Sequence, residues 1–115
     1  MINIPTLEQL GKLPSLYETE DISPEDKIVH AHFQLDKCHW WAMEWDGKDT
    51  FFGFILLHGW TQYAEFGYFT LSDLLEVKFD GWLEIVNDPF WIPQPAKEVG
   101  LIRYTLHFQS LVKNR

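Results

Sequence analysis

Apolar and polar positions alternate from Ile28 to Leu35. Ile28, His30, His32 and Gln34 share one side, and Val29, Ala31, Phe33 and Leu35 share the other. A period of two is the signature of a half-buried strand. Asp36-Lys37 suits a tight turn, and Trp40 to Trp45 reads as a second strand with Trp41, Met43 and Trp45 on one face. Asp46-Gly47 is a hairpin signal, because glycine supplies the positive φ such turns need. Phe51 to His58 then reads as the third strand.

Parity sorts the aromatic residues of this hairpin. Whether the loop is Asp46-Gly47 alone or runs from Asp46 to Asp49, odd positions of the second strand fall beside even positions of the third. Trp41, Met43, Trp45, Phe52, Phe54 and Leu56 are therefore expected on one face. Trp40, Ala42, Glu44, Phe51, Gly53, Ile55 and Leu57 are expected on the other. Both lists are largely apolar, so cover is expected on the second face as well as the first.

The flanking segments read as follows. Pro5 to Leu13 suits a short helix capped by Thr6, with Leu7, Leu10 and Leu13 as its apolar positions and Pro14 ending it. Ser15 to Lys27 is acidic and aperiodic, which predicts a solvated loop. Gly59 to Ala64 is a connection, and Glu65 to Phe69 a fourth short strand. Thr70 or Ser72 is placed to cap a helix over Ser72 to Val77, with Asp73 in its first turn. Phe79-Asp80-Gly81 turns the chain, and Trp82 to Val86 suits a short strand or a helical turn. Asn87 to Pro95 holds three prolines and predicts an irregular run anchored by Phe90 and Trp91. The last segment, 96–112, mixes two periods. Leu101, Tyr104, Phe108, Leu111 and Val112 fall within about 100° of helical arc, and Pro95 suits a helix start, so a helix is expected. The fold class that results is α+β: one domain, residues 1–115, with an antiparallel sheet of about four strands, short helices and a C-terminal helix packed on it.

Composition changes this picture in three places. Aromatic residues make up 17% of the chain and hydrophobic residues 46%, so the core is built largely from rings and the chain as a whole is not disordered. The formal charge is −8, from 17 acids against 9 bases, which disfavours phosphate binding and therefore nucleic acid. It suits solubility, a basic protein partner, or mimicry of nucleic acid. Cys38 is the sole cysteine, so no internal disulfide forms. The first residues lack the basic and apolar regions of a secretory signal, and no apolar run is long enough to span a bilayer. A cytoplasmic protein without membrane contact is expected.

The stretches LPSLYETE at Leu13 to Glu20, IVHAHF at Ile28 to Phe33, WWAMEWDGKDTFFGF at Trp40 to Phe54, EFGYFTLSDL at Glu65 to Leu74 and DPFWIPQP at Asp88 to Pro95 carry a resemblance. In this order and spacing the chain resembles the bacterial family catalogued as domain of unknown function 2958, over roughly residues 13–98. It departs from that pattern at His32, where lysine is expected, and in a longer connection from His58 to Ala64. The resemblance implies a bacterial, mobile-element setting. It implies no activity, because none is assigned to the family.

Candidate chemistry is sparse. His30 and His32 project from one strand face, an arrangement that permits two metal ligands, with Cys38, His39 or His58 as a third. No CxxC or HExxH spacing supports a site, so no metal or cofactor is assigned. Glu44, Asp46, Asp49 and Glu65 cluster around the hairpin. Glu44 lies on a partly apolar face, which predicts a raised pKa, or an ion pair with a lysine or Arg103. No nucleophile elbow or phosphate loop is present, and no catalytic residue is assigned. The candidate binding surface is Trp40, Glu44, Glu65 and Tyr68. The expected function is a non-enzymatic interaction module with a protein partner, linked to mobile elements. The alternative is a small ligand-binding protein or enzyme using an aromatic and carboxylate pocket on the sheet.

Overall fold

The structure is a computed structural model and describes residues 1–113. It is α+β. Helix α1 spans Leu7–Gly11, and strand β1 spans Ile28–Val29. Strands β2 (Ala31–Leu35), β3 (Cys38–Trp45), β4 (Thr50–Leu56) and β5 (Glu65–Thr70) follow. Helix α2 is Leu71–Glu76. Four two-residue strands come next: β6 (Lys78–Phe79), β7 (Leu83–Glu84), β8 (Val86–Asn87) and β9 (Gln94–Pro95). Helix α3 is Gly100–Lys113. The central sheet has five strands in the order β5-β4-β3-β2-β8, each pair antiparallel. The fifth strand comes from Val86–Asn87, at the boundary of the two segments expected to be a short element and an irregular run. No described helix is long and apolar enough to cross a membrane.

The expected hairpin forms. Gly47 takes φ +83°, and the Asp46 carboxylate accepts the backbone N–H groups of Lys48, Asp49 and Thr50. Thr70, the first of the two candidate caps, accepts from Asp73 N at 3.2 Å and starts α2.

Parity holds only up to Ala42. The β3–β4 register shifts between Ala42 and Glu44, so Met43 is the extra residue of a β-bulge. Below it, Trp41 faces Phe54; above it, Glu44 faces Phe52 and Trp45 faces Phe51. Trp45 therefore packs on Phe51, ring centroids 4.4 Å apart, and not beside Trp41 as the alternation predicts. Glu44 moves to the face of Trp41 and Phe54. Gly53 sits opposite Ala42 at the bulge, and a Cβ there would lie 1.8 Å from the Trp41 carbonyl oxygen. Glycine is required by that close approach. The first strand breaks at the same level: His30 belongs to no strand and donates its N–H to Ala42 O. Val29 consequently faces the other core from Ala31 and Phe33.

Both faces of the sheet are covered, as their composition predicts. Leu10, Leu13, Leu74 and Ile85 pack with Phe33, Phe51 and Phe69 on one side. Ala96, Val99 and Ile102 pack with Trp41, Met43, Phe54 and Leu56 on the other. Fully burying one such side chain stabilises the fold by about 1.5–3 kcal/mol. Helix α3 uses a different stripe from the expected one. Ile102 and Thr105 are buried, whereas Tyr104, Leu111 and Val112 are exposed. The Thr105 hydroxyl bonds the Leu101 carbonyl at 2.8 Å, which lets a polar residue take a core position. Leu7 and Phe90 are likewise exposed; of the two rings expected to anchor the irregular run, Trp91 does so, donating its Nε1–H to Val29 O at 2.9 Å.

Candidate functional site

The four residues of the expected surface fall into two rows on opposite faces. Trp40 faces Ile55, which faces Glu65; Glu44 faces Phe52, which faces Tyr68. Trp40 and Ile55 pack against the Phe33–Phe51 core, and Phe52 packs against the Trp41–Phe54 core. The bulge causes the separation, since it moves Glu44 but not Trp40. Glu44 and Glu65 form no carboxylate pair.

Around Glu44 the acidic loop folds back on the sheet. Glu44 is 3% exposed and accepts from Tyr17 N at 3.1 Å and from the Thr19 hydroxyl. The Lys27 ammonium lies 3.4 Å from Oε2, the oxygen that also accepts the Thr19 hydroxyl, and is itself 7% exposed. Lys27 also donates to Thr19 Oγ1 at 2.7 Å and to the Thr19 carbonyl, and stands 5.7 Å from the centre of the Phe52 ring. Burial alone pushes the Glu44 pKa up, but the bonds from Thr19 and Tyr17 and the Lys27 charge overcome it, so the pKa is lowered. This reverses the expected raised value and makes Glu44 a fixed carboxylate. It is poorly suited to donate a proton. The lysine partner was expected in kind. The chain segment that supplies it, read as solvated loop, gave no local signal of a buried residue.

Beside this corner lies a small hollow of about 160 Å³ lined by Tyr17, Glu20, Lys27, Glu44, Phe52 and Tyr68. Tyr17 takes φ +68°, and its ring lies 6.5 Å from that of Tyr68. Five acids of the loop, Glu18, Glu20, Asp21, Glu25 and Asp26, are exposed, and among the described residues only Asp26 is paired, with Lys97 at 2.6 Å.

Tyr68 and Phe66 also line the free edge of the sheet. Among the described residues strand β5 pairs only with β4. Leu71 N donates to Asp49 O, directly opposite in the register that pairs Thr50 with Thr70. Hydrogen-bonded and non-bonded pairs alternate in an antiparallel ladder. Glu65, Gly67 and Phe69 therefore turn their N–H and C=O groups toward β4, and Phe66 and Tyr68 turn theirs away from it. Next to Phe66 runs a groove of about 490 Å³ lined chiefly by Phe54, Ala64, Phe66, Leu106 and Phe108. Gln109 closes its floor by donating to the Thr61 and Ala64 carbonyls, both at 2.8 Å.

The histidines gather differently from the expected pair. His32 Nε2 lies 2.9 Å from His39 Nδ1, and both imidazoles lie parallel to the Trp41 ring, with centroids 5.2 and 5.1 Å away. Burial, and secondarily the His39 charge, push the His32 pKa down to about 4, against the opposing pull of Asp88. Burial lowers His39 and His30 as well. Cys38 and His58 sit apart from these, 3.9 Å from each other. Among the described residues no three His, Cys, Asp or Glu side chains are arranged to hold a metal ion.

No family model, curated protein or solved structure matches this chain. Its function is read from its own geometry.

Proposed function

We propose that this chain is a non-enzymatic protein-interaction module whose docking surface is the open β5 edge with the acidic loop beside it. The observation that carries the reading is the pair of outward-facing backbone units at Phe66 and Tyr68. A partner strand satisfies such groups with main-chain bonds, a recurrent mode of protein recognition. The exposed loop acids and the net charge of −8 favour a basic partner and oppose nucleic acid. In the same proposal the module works in the cytoplasm, and the resemblance to the domain of unknown function 2958 family adds a bacterial, mobile-element setting.

A catalytic or small-ligand pocket at Glu44 is less well supported. The hollow beside Glu44 has about 160 Å³, below the several hundred typical of ligand sites, and Glu44 already accepts bonds at both carboxylate oxygens. The test is affinity capture from the native host followed by mass spectrometry, with the Tyr68→Lys variant alongside. A partner held by the wild type and lost by the variant is expected. A small molecule retained in the purified protein, with no partner recovered, would sink the reading.

A further inference from the structure

We infer that the β5 edge takes an extended segment of a partner as an added antiparallel strand, and that it selects a basic residue followed two positions later by an apolar one. This deepens the interaction reading and rests on it.

The backbone sets the geometry. In antiparallel addition, the incoming residues opposite Phe66 and Tyr68 each exchange two hydrogen bonds with them. Between these pairs lies Gly67, where an added Cβ would meet only Ile55 Cδ1, at 3.9 Å. β5 also lacks the usual guards of an edge strand: it contains no lysine and no proline, and the bulge lies on β3.

The flanks set the selectivity. Directly opposed residues of a ladder point to the same face. The incoming residue opposite Tyr68 stands next to Tyr68, whose ring lines a hollow with Tyr17 and Glu20 of the acidic loop. Glu20 is exposed and joins none of the ion pairs among the described residues, whereas the nearby Lys27 charge is spent on Glu44. A lysine or arginine is favoured there. The residue opposite Phe66 comes down over the groove lined by Phe54, Leu106 and Phe108, where an apolar side chain is favoured. An antiparallel strand meets Tyr68 before Phe66, so the basic residue comes first. A second copy of this chain is a poorer occupant. Paired about Gly67, it brings Phe66 and not a base opposite Tyr68, and it brings together two chains of charge −8.

The probe is a short capped peptide of alternating threonines carrying lysine, threonine, leucine at its centre. It is compared by amide NMR and hydrogen exchange with the same peptide in the order leucine, threonine, lysine. The Phe66 and Tyr68 amides are expected to exchange quickly in the free protein and to gain protection with the first peptide. The reversed peptide is expected to bind about tenfold more weakly, and Glu20→Lys to erase that preference while the spectrum stays folded. Equal binding of the two orders, or protection gained elsewhere, overturns the inference. So does protection of Phe66 and Tyr68 that rises with protein concentration and no peptide, which identifies a second copy as the occupant. If host capture yields a partner that Tyr68→Lys also retains, this inference fails together with the placing of the docking surface at the β5 edge, and only the reading as a protein-interaction module survives. A wild-type protein that neither binds the peptide nor captures a partner ends both.

Discussion

At its β8 edge the sheet is closed by its own chain; at its β5 edge it is not. Ile2 bridges to Val86, its N–H donates to Ile85 O, and its carbonyl accepts from Asn87 N. The Asn87 side chain, 2% exposed, donates to Asn3 O and Gln9 Oε1 and so ties the residues before and within α1 to the sheet. The closed edge is a two-residue strand held by a buried amide, whereas the open edge is a six-residue strand ending in a helix cap. A short edge is easily covered from within, and a long unguarded one costs a soluble protein an association hazard. Its retention beside an acidic loop is what the interaction reading explains.

A change at the bulge should remove both edges at once by unfolding the sheet. Gly53→Ala drives a Cβ into the Trp41 carbonyl and should destabilise the fold by about 4 kcal/mol or more, read as a collapse of the thermal transition; an unshifted melting temperature would show that the bulge has slack. Next, Glu44→Ala strands the buried Lys27 ammonium, for about 3–5 kcal/mol in denaturant unfolding. Exchange should rise at Tyr17, on the open side, and not at Asn87. The double change Glu44→Leu with Lys27→Met should recover most of that loss, because it removes both charges together.

Acid should sharpen the contrast from the other side. His32 sits on β2, next to β8, and its carbonyl accepts from Asp88 N. Its pKa is 6.5 unfolded and about 4 folded, so between these values the unfolded chain binds the extra proton. Stability is then fully present above pH 6.5 and is lost as pH falls through about 4, by at most about 3 kcal/mol. Glu44, with its lowered pKa, also loses its contribution on acidification, below the ordinary carboxylate range. His32→Phe should flatten the higher part of the profile, and an unchanged profile would refute the assignment. The smallest effect is Asn87→Ala, about 1–2 kcal/mol. It should loosen the Ile2 cover and raise self-association in sedimentation, because a second edge is exposed.

Much of the fold was legible because its signals are local. Asp46-Gly47 announces its turn, Thr70 its helix, and the Ile28–Leu35 alternation its strand, though that strand breaks at His30. The site was less legible. Met43 is apolar in either phase, so nothing in the pattern betrays the bulge that carries Glu44 across the sheet. The Lys27–Glu44 pair joins a loop to a strand with no sequence periodicity to link them. In α3, aromatic spacing outvoted Thr105, because a hydroxyl satisfied by its own helix is invisible to a count of apolar residues.

The bulge at Met43 also determines what kind of change β3 tolerates. Elsewhere a loop absorbs the gain or loss of one residue as slack. Here the loss of Met43 would leave Glu44 opposite Phe52 and Trp45 opposite Phe51 in one unbroken ladder, so both side chains would keep their faces and only the Met43 side chain would leave the core beside Trp41 and Phe54. Between Ala42 and Glu44 the bulge is therefore the place where β3 can shed a residue without changing which face Glu44 and Trp45 take.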